Sequence, residues 1–498
     1  MKELRIIFVC LVLVAAVVIL PGAGSIIAGA QEGKITDEEI TRQVESELLY
    51  DPGVASHLVD VKTYEGVVTL SGSVDNILAK ERAGRISETV KGARSVVNEI
   101  EVRPLGRGDM DIRRDIEKAL QLDPAADSYE VTVRVEEGSV TLTGQVDSWA
   151  EKSLAGRVAK GVAGVKEVDN VISVVYKKER PDFEIKSDIQ QKLEKDIYVA
   201  SGLIDISVND GDVTLSGSVG SAFEKTRAVL DSWVAGVESV NDQKLEVVPV
   251  FEDKMQRKGE IVVKGDEKIE QAVKDTLKYD PRVNSFDIDV SADEGVVTLR
   301  GKVDNFAARR AATRDVRNTA GVVSVINFIK VRPLKAPDDA IIAGNVRSAM
   351  EWDPYLEKYE ISVTVRNQKA YLYGVVDTYF EKRRASDVAS RVFGVADVQN
   401  NLTVSYVWPL KSDKAIKRDV QDQLFWSLLV DSTDIQVEVD DGTVTLKGQV
   451  YDWAELDAAV QNAFEGGAYK VESELNIKGQ EETYPAIYDF YDYYWWMD

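Results

Sequence analysis

The chain has 498 residues, 85 acidic against 61 Lys and Arg, and a formal net charge of -24. So acidic a body repels nucleic acid and, taken as a whole, anionic membranes. One cysteine, Cys10, and one histidine, His57, exclude a disulfide framework and a cysteine metal site, so stability has to come from packed cores.

Lys2 and Arg5 precede an unbroken apolar run from Ile6 to Leu20, followed by Pro21-Gly22 and the small residues Ala28-Gly29-Ala30. Residues 1–30 therefore read as a signal peptide cleaved after Ala30, or as an uncleaved N-terminal membrane anchor. Cys10 lies too early in the apolar run for a lipoprotein processing site. Removing the leader, with its net charge of +1, takes the body to -25. Either form sends the body out of the cytoplasm to the periplasm.

Beyond the leader one phrase returns six times, as GVVTLSGSVDN at Gly66, GSVTLTGQVDS at Gly138, GDVTLSGSVGS at Gly211, GVVTLRGKVDN at Gly295, QKAYLYGVVDT at Gln368 and GTVTLKGQVYD at Gly442. The glycines inside it, Gly72, Gly144, Gly217, Gly301, Gly374 and Gly448, recur at nearly even intervals, the longest running from Gly217 to Gly301. Periods that long mean whole small domains. We read these at 36–104, 109–177, 182–249, 265–333, 338–407 and 412–479, with a linker at 250–264 and an acidic aromatic tail at 480–498.

Each unit opens on a helix. Ile40, Ile112, Ile185, Ile269, Ile342 and Ile416 all precede their repeat glycine by the same spacing, and in the first unit Val44 and Leu48 follow Ile40 along one helical stripe. Alternation at Val131, Val133 and Val135, a turn at Glu137-Gly138 and renewed alternation at Val140, Leu142 and Val146 predict an antiparallel hairpin. A second helix follows an Asp, Asn or Ser, as at Asp147-Ser148. Alanine recurs at one fixed spacing past every repeat glycine, from Ala83 to Ala459, and Gly92, Gly164, Gly236, Gly321 and Gly394 mark the helix end in five units. A last strand, such as VINFIKV from Val325, returns by a right-handed crossover parallel to the second. The fold class is α+β: a tandem array of six small α-β-β-α-β domains, each a three-stranded mixed sheet covered by two helices. With cores that small, single units lean on their neighbours.

Together the glycine-centred VTLxGxV hairpin, the alanine-bearing helix and the GVxxVxNxIxV finish resemble the BON domain, the bacterial osmotically inducible and nodulation domain. The pattern departs in unit 6, where AFEGGAYKVESELNI blurs the finish, and in unit 3, where Gly220 stands at the capping site. The resemblance implies envelope maintenance, tolerance of osmotic stress, attachment to phospholipid surfaces in some relatives and chaperone-like help to other envelope proteins.

A slower period overlies the first. Gly72 to Gly301, Gly144 to Gly374 and Gly217 to Gly448 span almost equal lengths of chain, which relates units 1 and 4, 2 and 5, and 3 and 6. Units 1 and 4 also share VDN, DP and VRPL. A three-domain block was duplicated, and PVFEDKMQRKGEIVVKG from Pro249 joins the halves. Short proline-bearing links elsewhere hold neighbours within a limited range of angles.

Catalytic chemistry finds little material. His57 has no counterpart in the other units, and no carboxylate pair is singled out by repetition. Asn209-Asp210-Gly211-Asp212 and Asp440-Asp441-Gly442 fall at hairpin turns and lack the spacing of a calcium loop. Arg107-Gly108-Asp109 reads as chance composition. No cofactor, metal, nucleic acid or small-molecule substrate is expected, and the repeat glycines read as structural.

Candidate contact residues are aromatic. Trp149, Phe306, Tyr379 and Trp453 share one position at the start of the second helix, as a staple or as an exposed contact. The tail YPAIYDFYDYYWWMD adds Tyr488, Phe490, Tyr491, Tyr494, Trp495 and Trp496. With local basic faces such as Lys382-Arg383-Arg384, these point to a phospholipid surface or to envelope proteins as partners. The expected function is multivalent binding or scaffolding in the cell envelope; the alternative is a periplasmic chaperone for unfolded or outer-membrane proteins.

Overall fold

A computed structural model describes residues 35–478 and the backbone of 486–488, apart from 55, 127–129, 177–179, 250–264, 281, 284–285, 320, 323, 334–335 and 406–410. The leader, the linker 250–264 and the tail beyond Tyr488 lie outside the described residues.

Unit 5 shows the plan. Its first helix, Asp339–Trp352, buries Ile342, Val346 and Met350, the stripe expected from their spacing. It stops at Asp353, whose backbone is extended and whose carboxylate accepts the Tyr355 N–H at 3.0 Å. Strands Ser362–Arg366 and Lys369–Val376 pair antiparallel, and the third, Asp397–Val404, runs parallel to the second, which is central. The second helix, Tyr379–Ser390, starts from a Thr378–Glu381 capping box and buries Ala385 completely; the equivalent alanines of the other five units are also fully buried.

The hairpin turn is held by the first residue of the opening helix. In unit 5 the Asp339 carboxylate accepts the N–H groups of Asn367 and Gln368 at 2.8 and 3.0 Å. Asp37, Asp109, Asp182, Asp266 and Asp413 do the same in the other units. The acidic turns at Asp210 and Asp441 are thus donors to a helix carboxylate. Asp109 of the Arg-Gly-Asp tripeptide has this role in unit 2, while Arg107 pairs with Asp115 at 2.5 Å.

Asparagine in the closing motif ties the third strand to the second helix. Asn98 Nδ2 donates to the Lys80 carbonyl at 2.7 Å and its Oδ1 accepts the Ile100 N–H, at the point between Ser95–Asn98 and Glu101–Val102. Asn170, Asn327 and Asn400 make the same tie.

Two local readings are corrected. Unit 3 keeps its cap: Ser221, not Gly220, occupies the capping position and accepts the Glu224 N–H. In unit 6, Gly467, with φ of 106°, takes the helix-ending role that glycines hold in the other five units.

From Thr36 onward the units pack against one another. Trp149 of unit 2 stacks on Trp233 of unit 3, Lys160 of unit 2 pairs with Glu81 of unit 1, and the Ala222 N–H of unit 3 reaches the Ala93 carbonyl of unit 1 at 3.3 Å. Units 1, 2 and 3 therefore close a cycle. The second half repeats its contacts: Phe306 N–H of unit 4 reaches the Val395 carbonyl of unit 5 at 3.3 Å, and Trp453 of unit 6 lies under Arg317 of unit 4.

Backbone hydrogen bonds join the halves through three pairs of units. Between units 2 and 5 the contact is reciprocal: Ala163 N–H donates to the Trp352 carbonyl at 2.7 Å and Phe393 N–H to the Leu122 carbonyl at 3.0 Å. A local two-fold relation through this pair exchanges units 1 with 4 and 3 with 6, the pairs related by the slow sequence period. Antiparallel bridges Val90–Ser427 and Asp196–Thr319 join units 1 with 6 and 3 with 4. Cores also run across units: Ile197 and Tyr198 of unit 3 are buried in the core of unit 6.

A charged cavity between the units

The ends of the first helices and the inner faces of the second helices converge on a cavity of about 1260 Å³, to which all six units contribute. A repeated element at the end of the first helix is an aspartate, Asp51, Asp123, Asp196, Asp280 and Asp353 in units 1 to 5, replaced by Ser427 in unit 6; Asp51, Asp196, Asp280 and Ser427 line the cavity. Each of these side chains accepts a backbone N–H two residues on.

In units 1, 3 and 5 that aspartate also pairs with an arginine from the second helix, always at the same position. Arg82 meets Asp51 through two bonds of 2.7 and 2.6 Å, Arg384 meets Asp353 at 2.8 Å, and Arg227 pairs with Asp196. Unit 4 moves the arginine about one turn along the helix, where Arg314 meets Asp280 at 3.1 Å. Unit 2 has Leu154 at the first position and Arg157 at the second.

The wall is electrically divided. Units 1, 3 and 6 supply eight carboxylates and four cations, whereas units 2, 4 and 5 supply seven cations and three carboxylates. On the acidic side, burial and the neighbouring Glu465 push the Glu47 carboxyl up to about 8, and burial pushes Glu88 up to about 7. Burial and the nearby Asp196 raise Asp231 to about 7; on the other side burial and Asp280 raise Asp315 to about 7. Burial opposes the charge on Asp387 as well, yet Arg391, Arg310 and Arg384 outweigh it and hold that carboxyl down at about 2.

Of the expected contact residues, Trp149 and Phe306 also line this cavity. Trp149, Phe306, Tyr379 and Trp453 are half-buried, and Trp149, Phe306 and Trp453 lie at junctions with a neighbouring unit, so they face across units. The basic face at Lys382-Arg383-Arg384 is corrected outright: Lys382 is only 6% exposed, Lys382 and Arg383 line the cavity, and Arg384 is buried against Asp353. Ala486–Tyr488 adds an antiparallel strand beside Lys470–Ile477 of unit 6, while Phe490, Tyr491, Tyr494, Trp495 and Trp496 lie outside the described residues.

The repeat glycines have positive φ, and a Cβ on Gly301 would come within 2.7 Å of the Asp287 carbonyl oxygen on the paired strand. His57 is exposed on a short 3-10 turn, away from the cavity. Among the described residues no cluster of three or more His, Cys, Asp or Glu suits a metal ion, and no helix is long and apolar enough to cross a membrane.

A family model described as the BON domain matches residues 36–104, 108–176, 181–249, 265–333, 338–406 and 412–479. The chain is 35% identical over 141 residues to osmotically-inducible protein Y of Escherichia coli (strain K12), a match covering 27% of this chain and 70% of that protein. It is 31% identical over 154 residues to the 21 kDa hemolysin of Actinobacillus pleuropneumoniae, covering 30% and 77%. It is 28% identical over 145 residues to the outer membrane lipoprotein DolP of Haemophilus influenzae, covering 28% and 74%. Each match is about two units long.

Proposed function

The chain belongs to the BON domain family, and from that premise we propose that it is an exported, non-enzymatic protein of the cell envelope. Its six units act as one body that scaffolds a membrane surface or envelope proteins and supports envelope integrity under osmotic stress. The observation that carries this reading is an apolar strip left exposed on the sheet side of units 1, 2, 4 and 5. The inner faces of the second helices are taken up by the cavity and the seams, although helix residues such as Met110 and Phe183 stay exposed, while the sheet side leaves Val97, Val171, Val175, Ile326, Phe328, Tyr373 and Val375 exposed.

Faces repeated on one body engage an extended target together, so weak contacts add without any single strong one. With a body charge of -25 after loss of the leader, the contact is apolar and local, not a broad attraction to anionic headgroups. Two relatives support the setting, one by a name that records osmotic induction and one by a name that records the outer membrane. The exposed apolar strips also suit a chaperone that holds unfolded envelope proteins.

Flotation of residues 31–498 with zwitterionic and anionic liposomes tests the membrane arm, and suppression of aggregation of an unfolded outer-membrane protein tests the protein arm. Val175→Glu with Phe328→Glu should weaken whichever is positive. Activity in neither assay, or activity unaffected by these substitutions, sinks the reading; loss only on removal of residues 484–498 moves the contact to the tail.

A further inference from the structure

Two diagonal contacts between the halves are filled by aromatic side chains. Tyr355 of unit 5 packs edge-on against Phe380 at 4.8 Å and donates its hydroxyl to the Gly53 carbonyl of unit 1. Tyr198 of unit 3 packs edge-on against Phe223 and enters the core of unit 6. In unit 4 the position of those tyrosines is taken by Arg282, which lines the cavity together with Arg157 of unit 2.

Arg157 has no paired counter-ion. Its own unit places Leu154 where an arginine would reach Asp123, and among the described residues the Arg157 guanidinium makes no hydrogen bond or ion pair. Its side chain is open to the cavity, yet Arg282, Arg314 and Arg391 are close enough to repel its charge. Arg314 is satisfied by Asp280 and Asp315, whereas Arg282 keeps only a looser ion pair, its Nε 3.7 Å from Asp280, and that buried Nε makes no hydrogen bond. Enclosure by the cavity walls, then this repulsion, which Asp280 partly offsets, lower the Arg157 guanidinium to about 9 although its side chain is open to the cavity solvent.

Asp280 is the carboxylate these three guanidiniums share, so more positive than negative charge meets at this end of the void, a cost that a further negative group between them would offset. Guanidinium forks suit an oxyanion with several equivalent oxygens. We propose that the Arg157–Arg282–Arg314 end of the cavity binds a small phosphate-class oxyanion, either free or as the headgroup of a phospholipid.

Calorimetric titration of residues 31–498 with inorganic pyrophosphate tests this, with anionic vesicles as a separate arm. One saturable site per chain is expected, with a rise in melting temperature that sodium chloride at equal ionic strength does not give. Arg157→Gln should weaken pyrophosphate at least 10-fold while keeping or raising the melting temperature of the unliganded protein. Arg113→Gln, an exposed helix position, should change neither. Competition between vesicles and pyrophosphate, lost in Arg157→Gln, would identify a headgroup as the natural source. The proposal is overturned by absence of saturable binding, by equal effects of the two substitutions, or by vesicle binding indifferent to pyrophosphate and to Arg157.

Discussion

Trp149 and Trp233 stack with ring centroids 5.1 Å apart and planes 9° from parallel, although one belongs to unit 2 and the other to unit 3. The aromatic at the start of the second helix thus closes a seam between units. Trp149→Ala removes the ring pair and leaves a gap, at a cost of about 2 kcal/mol. The loss should fall on the seam, so proteolysis in the link 177–181 should accelerate more than global unfolding. Unchanged cleavage there would show that the seam does not depend on the stack.

The Arg82–Asp51 pair gives a sharper stability test, since its side chains are 7% and 3% exposed. Arg82→Ala leaves Asp51 buried and uncompensated, and about 3–5 kcal/mol should be lost. Asp51→Asn keeps an acceptor for the Gly53 N–H and should cost less. Urea unfolding midpoints of the two variants check the order.

The raised carboxyls set a direction for pH. Glu47, Glu88, Asp231 and Asp315 bind protons more tightly in the folded chain than when unfolded, so folding is favoured most below the unfolded values of 4.5 for Glu and 3.8 for Asp. That stabilisation is lost as pH rises through the folded values of about 7 to 8. The depressed Asp387 matters only in acid, where its contribution disappears as pH falls below the ordinary 3.8 toward about 2. The melting temperature should therefore be higher at pH 5.5 than at pH 8.5, and Glu47→Gln should reduce the difference. A melting temperature that rises across this range would contradict the assignment.

Sequence periodicity reaches as far as each unit and stops there. Ile342, Val346 and Met350 reveal their helix because neighbours on one stripe are four residues apart, and the hairpin shows by alternation. The duplicated block is legible as a slow period, but not the pairing of units 1–6, 2–5 and 3–4, because contacts across the halves join residues such as Lys118 and Ser348, 230 positions apart. The aspartate at the end of the first helix recurs in five units and carries its own signal. Its partner does not: Arg82, Arg227 and Arg384 share one position in units 1, 3 and 5, but Arg314 of unit 4 stands a turn further on, so no fixed spacing marks the pair. Lys382-Arg383-Arg384 misleads for the same reason, since a cluster of cations reads as surface until the acids of other helices are placed beside it.

Two glycines in neighbouring units separate backbone geometry from mere smallness. Gly301 has φ of 145°, and its added Cβ would press on the Asp287 carbonyl at 2.7 Å, so Gly301→Ala requires the hairpin strands to part. A cost of about 2–4 kcal/mol follows from the strain and the overlap together. Gly344 lies inside the helix Asp339–Trp352, where an added Cβ meets nothing within 4 Å. There alanine restricts the unfolded chain and favours the helix, so Gly344→Ala should stabilise by about 1 kcal/mol. Thermal unfolding of both variants against the parent should give shifts of opposite sign. If Gly301→Ala were neutral, the repeat glycine would owe its recurrence to something other than the close approach of the paired strand.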